Sequence, residues 1–298
     1  MSNSDTFSSY HPVVNFLYFG MVLAFSMIFM HPVCLFISLV CSFIYSINLN
    51  GLKSIRFNLR YILPMFLIAA LFNPAFNHEG ITILTYLPSG NPLTLESIIY
   101  GIAAATMIVT VISWFTCYNA VMTSDKFVYL FGRIIPALSL ILSMTLRFVP
   151  RFKAQIKVVS DAQRCLGRGV SRGSVLERAK NGIMILSIMV TWALENAIET
   201  ADSMKSRGYG LKGRTAFSIY RFNNRDKAVL LYLLLCGAYI IIGAFLDVIH
   251  WRYYPTIKGV AFGAYPISVF LCYFALCITP VILNVREDIK WKALKSAN

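Results

Sequence analysis

Apolar runs of membrane-span length alternate with short polar connections through the first 120 residues, give way to a long amphipathic stretch, and then return as a closing pair. Crossing a hydrocarbon core takes about 20 mostly apolar residues, with about 17 as a working minimum. Val13 to Met30 and Val33 to Leu49 meet this, and His31-Pro32 between them breaks the helix, because proline cannot continue it and restricts its predecessor. A third run, Tyr61 to Phe76, is shorter and carries Pro64; Ile98 to Tyr118 is an uninterrupted fourth. Val229 to Leu246 and Gly259 to Leu283 complete six predicted spans. Two further stretches are too short to span alone, Ile134 to Val149 with Pro136 inside it, and Ile183 to Leu194. They read as helices lying along the interface or crossing obliquely, each burying one face.

Composition agrees with this pattern: 57% of the 298 residues are hydrophobic and 13% charged, with a mean hydropathy of +0.65. That excludes an ordinary soluble domain. The formal charge of +14 then reports topology before it reports any acidic partner, since short cytoplasmic loops collect lysine and arginine. Lys53, Arg56 and Arg60 place the second connection inside, whereas residues 61–125 hold no lysine or arginine. The loop from Asn73 to Leu95 is therefore expected outside. Lys126 and Arg133 bring the chain back, and residues 151–227 carry fifteen basic against six acidic side chains. Lys290, Lys292 and Lys295 close the chain on the same side; only Arg252 and Lys258, in the last outer loop, run against the rule. Both termini are thus expected in the cytoplasm. The seven cysteines fall mostly in apolar runs without CxxC spacing and read as small buried hydrophobes. No lysine or arginine precedes Lys53, so a cleaved signal peptide lacks its basic region and the first apolar run is expected to persist.

The amphipathic block holds one short pattern twice: Ala162, five residues, Arg168-Gly169; and Ala201, five residues, Arg207-Gly208. Before the first, Phe152, Ile156, Val159, Ala162 and Leu166 recur at helical spacing among basic positions; before the second, Ile183, Leu186, Val190, Ala193, Ala197, Ala201 and Met204 form an apolar stripe beside Glu195, Glu199 and Asp202. Each copy therefore ends a helix with an arginine and a glycine, which is also ordinary C-terminal capping chemistry. Two copies on one side of the membrane are more than capping requires. The alanines predict that the two helices cross through small-residue faces, fixing the separation of their arginine-bearing ends.

Pro136, the Leu146-Arg147-Phe148-Val149-Pro150 run, Ala162 with Arg168-Gly169, and Ala201 with Met204 and Ser206-Arg207-Gly208-Tyr209 together resemble the signature of the transmembrane T component of energy-coupling factor transporters, the EcfT and CbiQ-like permease family. The likeness covers most of the chain and is most specific from Pro136 to Gly210. It implies an all-α polytopic membrane protein of about six transmembrane helices with a cytoplasmic domain of crossed amphipathic coupling helices. The organisation it predicts is a transmembrane region at 1–149, a coupling-helix domain at 150–227 and a C-terminal transmembrane hairpin with a basic tail at 228–298. By resemblance, Arg168 and Arg207, flanked by Gly167, Gly169, Ser206 and Gly208, dock into two ATP-binding-cassette ATPase subunits, while Ala162, Ala197, Ala201 and Met204 pack the coupling helices. The chain would then pass ATP-driven motion to a membrane-embedded substrate-binding S component for a vitamin or transition metal, in a bacterial or archaeal cell membrane. It would bind no cofactor itself, ATP and magnesium being used by the partners. Gly167 stands where alanine or serine is more usual and is expected to loosen the first helix end.

The residues also bear on competing classes. No G-x4-G-K-[ST] phosphate loop is present. His11, His31, His78 and His250 are scattered, two of them before prolines at helix ends, which suits loop histidines better than ligands. A membrane-integral enzyme acting on lipid-linked substrates predicts clustered carboxylates or histidines, but residues 151–227 hold six dispersed acids and no histidine. A stand-alone transporter predicts inverted repeats or broken mid-membrane helices. Nucleic acid is not an expected partner, and the bilayer is.

Overall fold

A computed structural model of the chain describes residues 5–86, 91–132, 136–171, 173–211, 220–259 and 263–296. Ten α-helices are found among them: α1 (Pro12–Ile28), α2 (Pro32–Asn50), α3 (Leu52–Phe57), α4 (Leu63–Phe76), α5 (Leu95–Val121), α6 (Ser124–Gly132), α7 (Pro136–Cys165), α8 (Val175–Ser206), α9 (Asn224–Phe245) and α10 (Ala264–Ser296). A π-helical turn at Asn58–Ile62 joins α3 to α4, so that a single apolar helix runs over Ser54–Phe76. A 3-10 turn at Phe7–Ser9 and two small antiparallel pairs complete the list, β1 (Ile83–Tyr86) with β2 (Pro92–Thr94) and β3 (Trp251–Arg252) with β4 (Lys258–Gly259). The chain is an all-α polytopic membrane protein.

The chain divides into two compact units, one formed by residues 1–123 with 220–298 and the other by 124–219. In the first, α5 packs against α1, α2 and α4, while α10 packs against α2 and α9. Gly101 lets α4 and α5 approach: a Cβ there would stand 2.6 Å from the Ala70 carbonyl oxygen. The core of this unit is aromatic, with Tyr18, Phe19, Tyr45, Trp114 and Tyr273 fully or almost fully buried. Its polar atoms find one another across four helices. Trp114 Nε1 donates to Ser38 Oγ at 2.9 Å, Ser38 Oγ lies 2.6 Å from Ser26 Oγ, and Ser26 Oγ lies 3.3 Å from the Tyr273 hydroxyl. In a medium without water such groups need protein partners, so this chain of bonds ties α1, α2, α5 and α10 together.

Each end of this unit is closed by its own polar contacts. At one end the Asp5 carboxylate accepts from Ser8 N and Tyr45 Oη, Asn284 Oδ1 accepts from Phe7 N, and Asp226 accepts from His11 N and Asn223 N. At the other, Tyr253 Oη donates to the Met30 carbonyl and Asn73 Nδ2 to the Tyr254 hydroxyl. Glu96, at the start of α5, accepts from Thr82 N and Oγ1 and so pins the β1–β2 hairpin. Within the hairpin, Leu87 and Pro88 lie outside the described residues.

His11 and His31 act as caps, each ring Nδ1 accepting from the backbone N–H two residues on, Val13 and Val33 respectively. Burial of His31 against Trp251 and Phe270 lowers its pKa below the ordinary imidazole value. The folded chain thus favours the neutral ring, the only form whose Nδ1 can accept. A base whose folded pKa is depressed contributes its full stability above the unfolded value of about 6.5, and loses it as pH falls from there through the folded value. The thermal midpoint of the wild type in detergent is therefore expected to fall more between pH 7 and pH 5 than that of His31→Asn, which keeps a capping oxygen without the titration. Equal slopes would remove His31 from the account.

By length and hydropathy, six helical segments suffice to cross a membrane: α2, Ser54–Phe76, α5, α8, α9 and Ala264–Lys295. α1 has 17 residues, at the lower limit for a span. The expected spans are thus found as helices, with α8 as the addition. Ile183 to Leu194 is the middle of a single 32-residue helix, because the polar residues on either side are themselves good helix formers. Its best window has a mean hydropathy of 1.3, the lowest of the six, against 1.5 for Ser54–Phe76 and 2.0 to 2.4 for α2, α5, α9 and Ala264–Lys295.

Candidate functional site

The second unit is a helical hairpin, α7 and α8, preceded by α6 packed on α7. α7 runs unbroken through Pro150, so residues 149 and 150 lie within one helix that changes from apolar to amphipathic along its length. α8 starts at a capping box: Glu177 N donates to Ser174 Oγ, and Ser174 N to Glu177 Oε2. The Ser-x-x-Glu spacing is the sequence signal that places this start eight residues before Ile183.

The crossing of α7 and α8 differs from the small-residue prediction. Ala162, Ala197 and Ala201 are exposed and Met204 half-buried; the contact is made by Val159, Ile185 and Met189, flanked by Phe152 and Trp192. The Phe152 and Trp192 rings meet edge to face at 5.3 Å, and the Arg151 guanidinium lies 5.5 Å from the Trp192 ring centre. Bulky and aromatic side chains supply more buried area here than alanines can. The larger side chains of the apolar stripe, Ile183, Leu186 and Val190, stay out of this contact and are exposed, at 68%, 63% and 52%.

Both arginine-glycine ends are built as left-handed stops, with a difference of register. At the end of α7, Gly167 takes φ +76°, its N–H bonds Arg164 O at 3.1 Å and Arg168 N bonds Gln163 O at 2.9 Å. At the end of α8, Gly208 takes φ +78°, its N–H bonds Lys205 O at 2.9 Å and Tyr209 N bonds Met204 O at 3.0 Å. Both sets of bonds form the Schellman pattern. Arg207 therefore precedes its stop glycine, whereas Arg168 follows one. Gly167 does not loosen the first end as expected; it becomes the stop, because a residue without Cβ is the one that accepts the left-handed conformation, and the helix ends two residues earlier relative to its arginine.

The segment after the first stop is held along the start of α8. Arg178 Nε donates to Val170 O at 2.8 Å, Asn181 Nδ2 to Gly169 O at 3.3 Å, and Arg168 Nη1 reaches Met184 Sδ at 3.6 Å. Arg178, Asn181 and Met184 thus position Arg168; nothing in their spacing distinguishes them in the sequence. Arg168 and Arg207 are both exposed, and among the described residues neither pairs with a carboxylate. Ser206 Oγ turns back to Ser203 O at 2.9 Å. From Met184, which the Arg168 guanidinium reaches, to Arg207 is 23 residues, so at 1.5 Å per residue the backbone at these two points is on the order of 35 Å apart along α8.

These geometries separate the glycines. Gly208→Ala and Gly167→Ala force a Cβ into the left-handed region, which costs about 1–2 kcal/mol each. Gly169 has no positive φ and its Cβ would meet Arg164 at ordinary distances, Cγ at 3.6 Å being the nearest atom, so Gly169→Ala is expected to be close to neutral. Amide exchange at Tyr209 in Gly208→Ala and at Arg168 in Gly167→Ala should accelerate by about ten-fold for each 1.4 kcal/mol lost, and in Gly169→Ala stay as in the wild type.

The second unit thus presents an exposed arginine at the C-terminal end of each of its two long helices. Comparison of the sequence with known families finds a match to the CbiQ family, described as cobalt transport protein, over residues 6–217. The chain belongs to that family. Among individual relatives it is similar to proteins named energy-coupling factor transporter transmembrane protein EcfT: that of Lactobacillus helveticus, 33% identical over 106 residues covering 35% of this chain and 38% of the relative; that of Bacillus selenitireducens, 34% identical over 110 residues covering 37% and 41%; and that of Bacillus subtilis, 31% identical over 102 residues covering 34% and 38%. The matched stretch thus spans about two fifths of the curated relatives. The CbiQ family match includes α6, α7 and α8 whole, and with them both arginine-glycine ends.

Proposed function

We propose that this chain is the transmembrane T component of an energy-coupling factor importer, a non-catalytic subunit that links cytoplasmic ATPases to a membrane-embedded substrate-binding protein. The observation that carries the reading is the pair of exposed arginines, free of carboxylates within the described chain and standing just past the C-terminal ends of α7 and α8. A guanidinium presents five donors in a planar fork that matches a carboxylate, and its docking on a partner gives charge-assisted, bidentate bonds. Each end would engage one ATP-binding-cassette subunit, two per chain, with ATP and magnesium held by those subunits. Closure of the ATPase pair moves the docked ends, and the α7–α8 hairpin, braced by Phe152, Trp192 and Met189, transmits the movement. The exposed stripe of Ile183, Leu186 and Val190 offers an apolar surface to the substrate-binding component, whose cargo would be a vitamin or a transition-metal ion.

This reading places residues 151–227 and both termini in the cytoplasm of a bacterial or archaeal cell, with α8 on the cytoplasmic side of the bilayer. The lower hydropathy of α8 and its acids Glu177, Glu195, Glu199 and Asp202 support that placement. The test is co-expression with ATPase subunits encoded in the same genome, purification in mild detergent and mass measurement of the complex. The expected particle holds one chain and two ATPases. A chain that purifies alone under conditions where the ATPases are folded and dimeric would contradict the proposal.

A further inference from the structure

The connection between α9 and α10 carries a feature that coupling does not use. Arg252 and Lys258 are directly opposed across the β3–β4 pair. Side chains alternate along a strand, so His250 shares their face, while Trp251 and Gly259 form the other opposed pair. Trp251 anchors that second face: its ring is 5.0 Å from His31, edge to face, and it lies across Gly259 so closely that no Cβ fits there. Like charges directly opposed in an antiparallel pair repel, yet among the described residues neither Arg252 nor Lys258 has an ion pair or a side-chain hydrogen bond. The one carboxylate in residues 246–263, Asp247, sits in the turn before the hairpin, where its backbone oxygen accepts from His250 N at 3.2 Å. It does not line the depression that the basic face encloses.

That depression has a volume of about 330 Å³ and is lined by His250, Arg252, Lys258 and Gly259. It has ample room for a phosphate group, a single water taking about 30 Å³ of liquid. The flanking helix ends are apolar and exposed, with Phe245 at 85%, Leu246 at 63%, Ile242 at 53% and Ile267 at 47%. Cations gathered at the end of a span, with bare apolar side chains on the flanking helix turns, match an anionic head joined to acyl chains. We propose that the basic face of the β3–β4 hairpin binds a phosphate oxyanion, and that its carrier is the headgroup of an anionic phospholipid whose chains lie along the ends of α9 and α10. The two basic residues that defy the positive-inside pattern are thereby accounted for as a site.

The test uses the full chain in nanodiscs of phosphatidylcholine with a minor fraction of phosphatidylglycerol, followed by extraction and native mass spectrometry. The wild type is expected to retain phosphatidylglycerol over phosphatidylcholine, and Arg252→Gln with Lys258→Gln to lower that retention roughly ten-fold or more. Removing opposed like charges should leave the variant's thermal midpoint unchanged or higher, which separates a lost site from a lost fold. Equal retention by wild type and variant would overturn the site. Millimolar inorganic phosphate provides the second arm: saturable phosphate binding without any preference for phosphatidylglycerol would overturn the lipid assignment, whereas phosphatidylglycerol retention that phosphate only weakly displaces would support it.

Discussion

Arg168→Glu combined with Arg207→Glu is expected to abolish assembly with the ATPase subunits and, with it, all substrate uptake. Each arginine is exposed and without a carboxylate partner among the described residues, so reversing its charge leaves the fold of this chain largely untouched. On the partner the effect is large. Truncating one member of a desolvated charge pair costs about 2–5 kcal/mol, and reversal adds repulsion. At about 1.4 kcal/mol per ten-fold in affinity, either single variant should weaken its own contact by at least about thirty-fold. Attachment at two points makes the second contact effectively intramolecular, so each single variant retains a weakened complex and the double variant none. Arg→Lys at both positions should fall between, since lysine keeps the charge and loses the bidentate fork. The measurements are co-purification of ATPase with each variant and uptake in cells expressing the whole transporter. Undiminished uptake in the double reversal would remove the two ends from the mechanism.

Trp114→Ala is expected to give the largest loss of stability of any single truncation in the first unit. Trp114 is completely buried, and its ring lies 6.1 to 6.5 Å from those of Tyr18, Phe19 and Tyr45. Emptying a buried aromatic site costs about 3–5 kcal/mol. The variant also removes the donor to Ser38, the serine through which α5 joins the hydrogen-bond chain of α1, α2 and α10. Trp114→Phe keeps most of the volume and loses that bond, a change of about 1 kcal/mol plus the misfit of the smaller ring. Unfolding by a denaturing detergent titrated into mixed micelles should rank wild type, Trp114→Phe and Trp114→Ala in that order. A Trp114→Ala chain as stable as Trp114→Phe would show that the cavity collapses.

The physical basis of these two predictions was unequally visible in the sequence. Spans such as Val33 to Leu49 and Ile98 to Tyr118 are legible because a hydrocarbon core imposes a length and an apolarity that few soluble helices meet, and they appear as α2 and α5 with ends shifted by one to three residues. The arginine-glycine ends are legible as helix stops for a similar reason: only glycine takes the left-handed turn cheaply. Which glycine does so was not legible, since Gly167-Arg168-Gly169 offers two and the choice of Gly167 is made by the hydrogen bonds from the Gly167 and Arg168 amides back into α7. Periodicity identified an apolar stripe on α8, but the side chains that make the crossing were not its alanines. A stripe marks a surface that avoids water, and the choice of Ile185, Met189 and Trp192 to meet α7 depends on the shapes on both helices. The extent of α7 was hidden for a different reason. Its change from apolar to amphipathic character at Pro150 looks like a boundary in composition, yet a helix can continue through a proline at the loss of one backbone hydrogen bond.

Cys165 stands three residues before Arg168 and is exposed, while the other six cysteines are buried or half-buried. It is therefore a native reporter for the first arginine end. The rate of maleimide labelling at Cys165 in the full chain, in detergent, with and without the ATPase subunits, tests docking at this end most directly. The account predicts strong protection of Cys165 when the ATPases bind, and recovery of labelling in Arg168→Glu. Labelling that stays fast while the chain and the ATPases remain in one complex would contradict it and move the interface away from the α7 end.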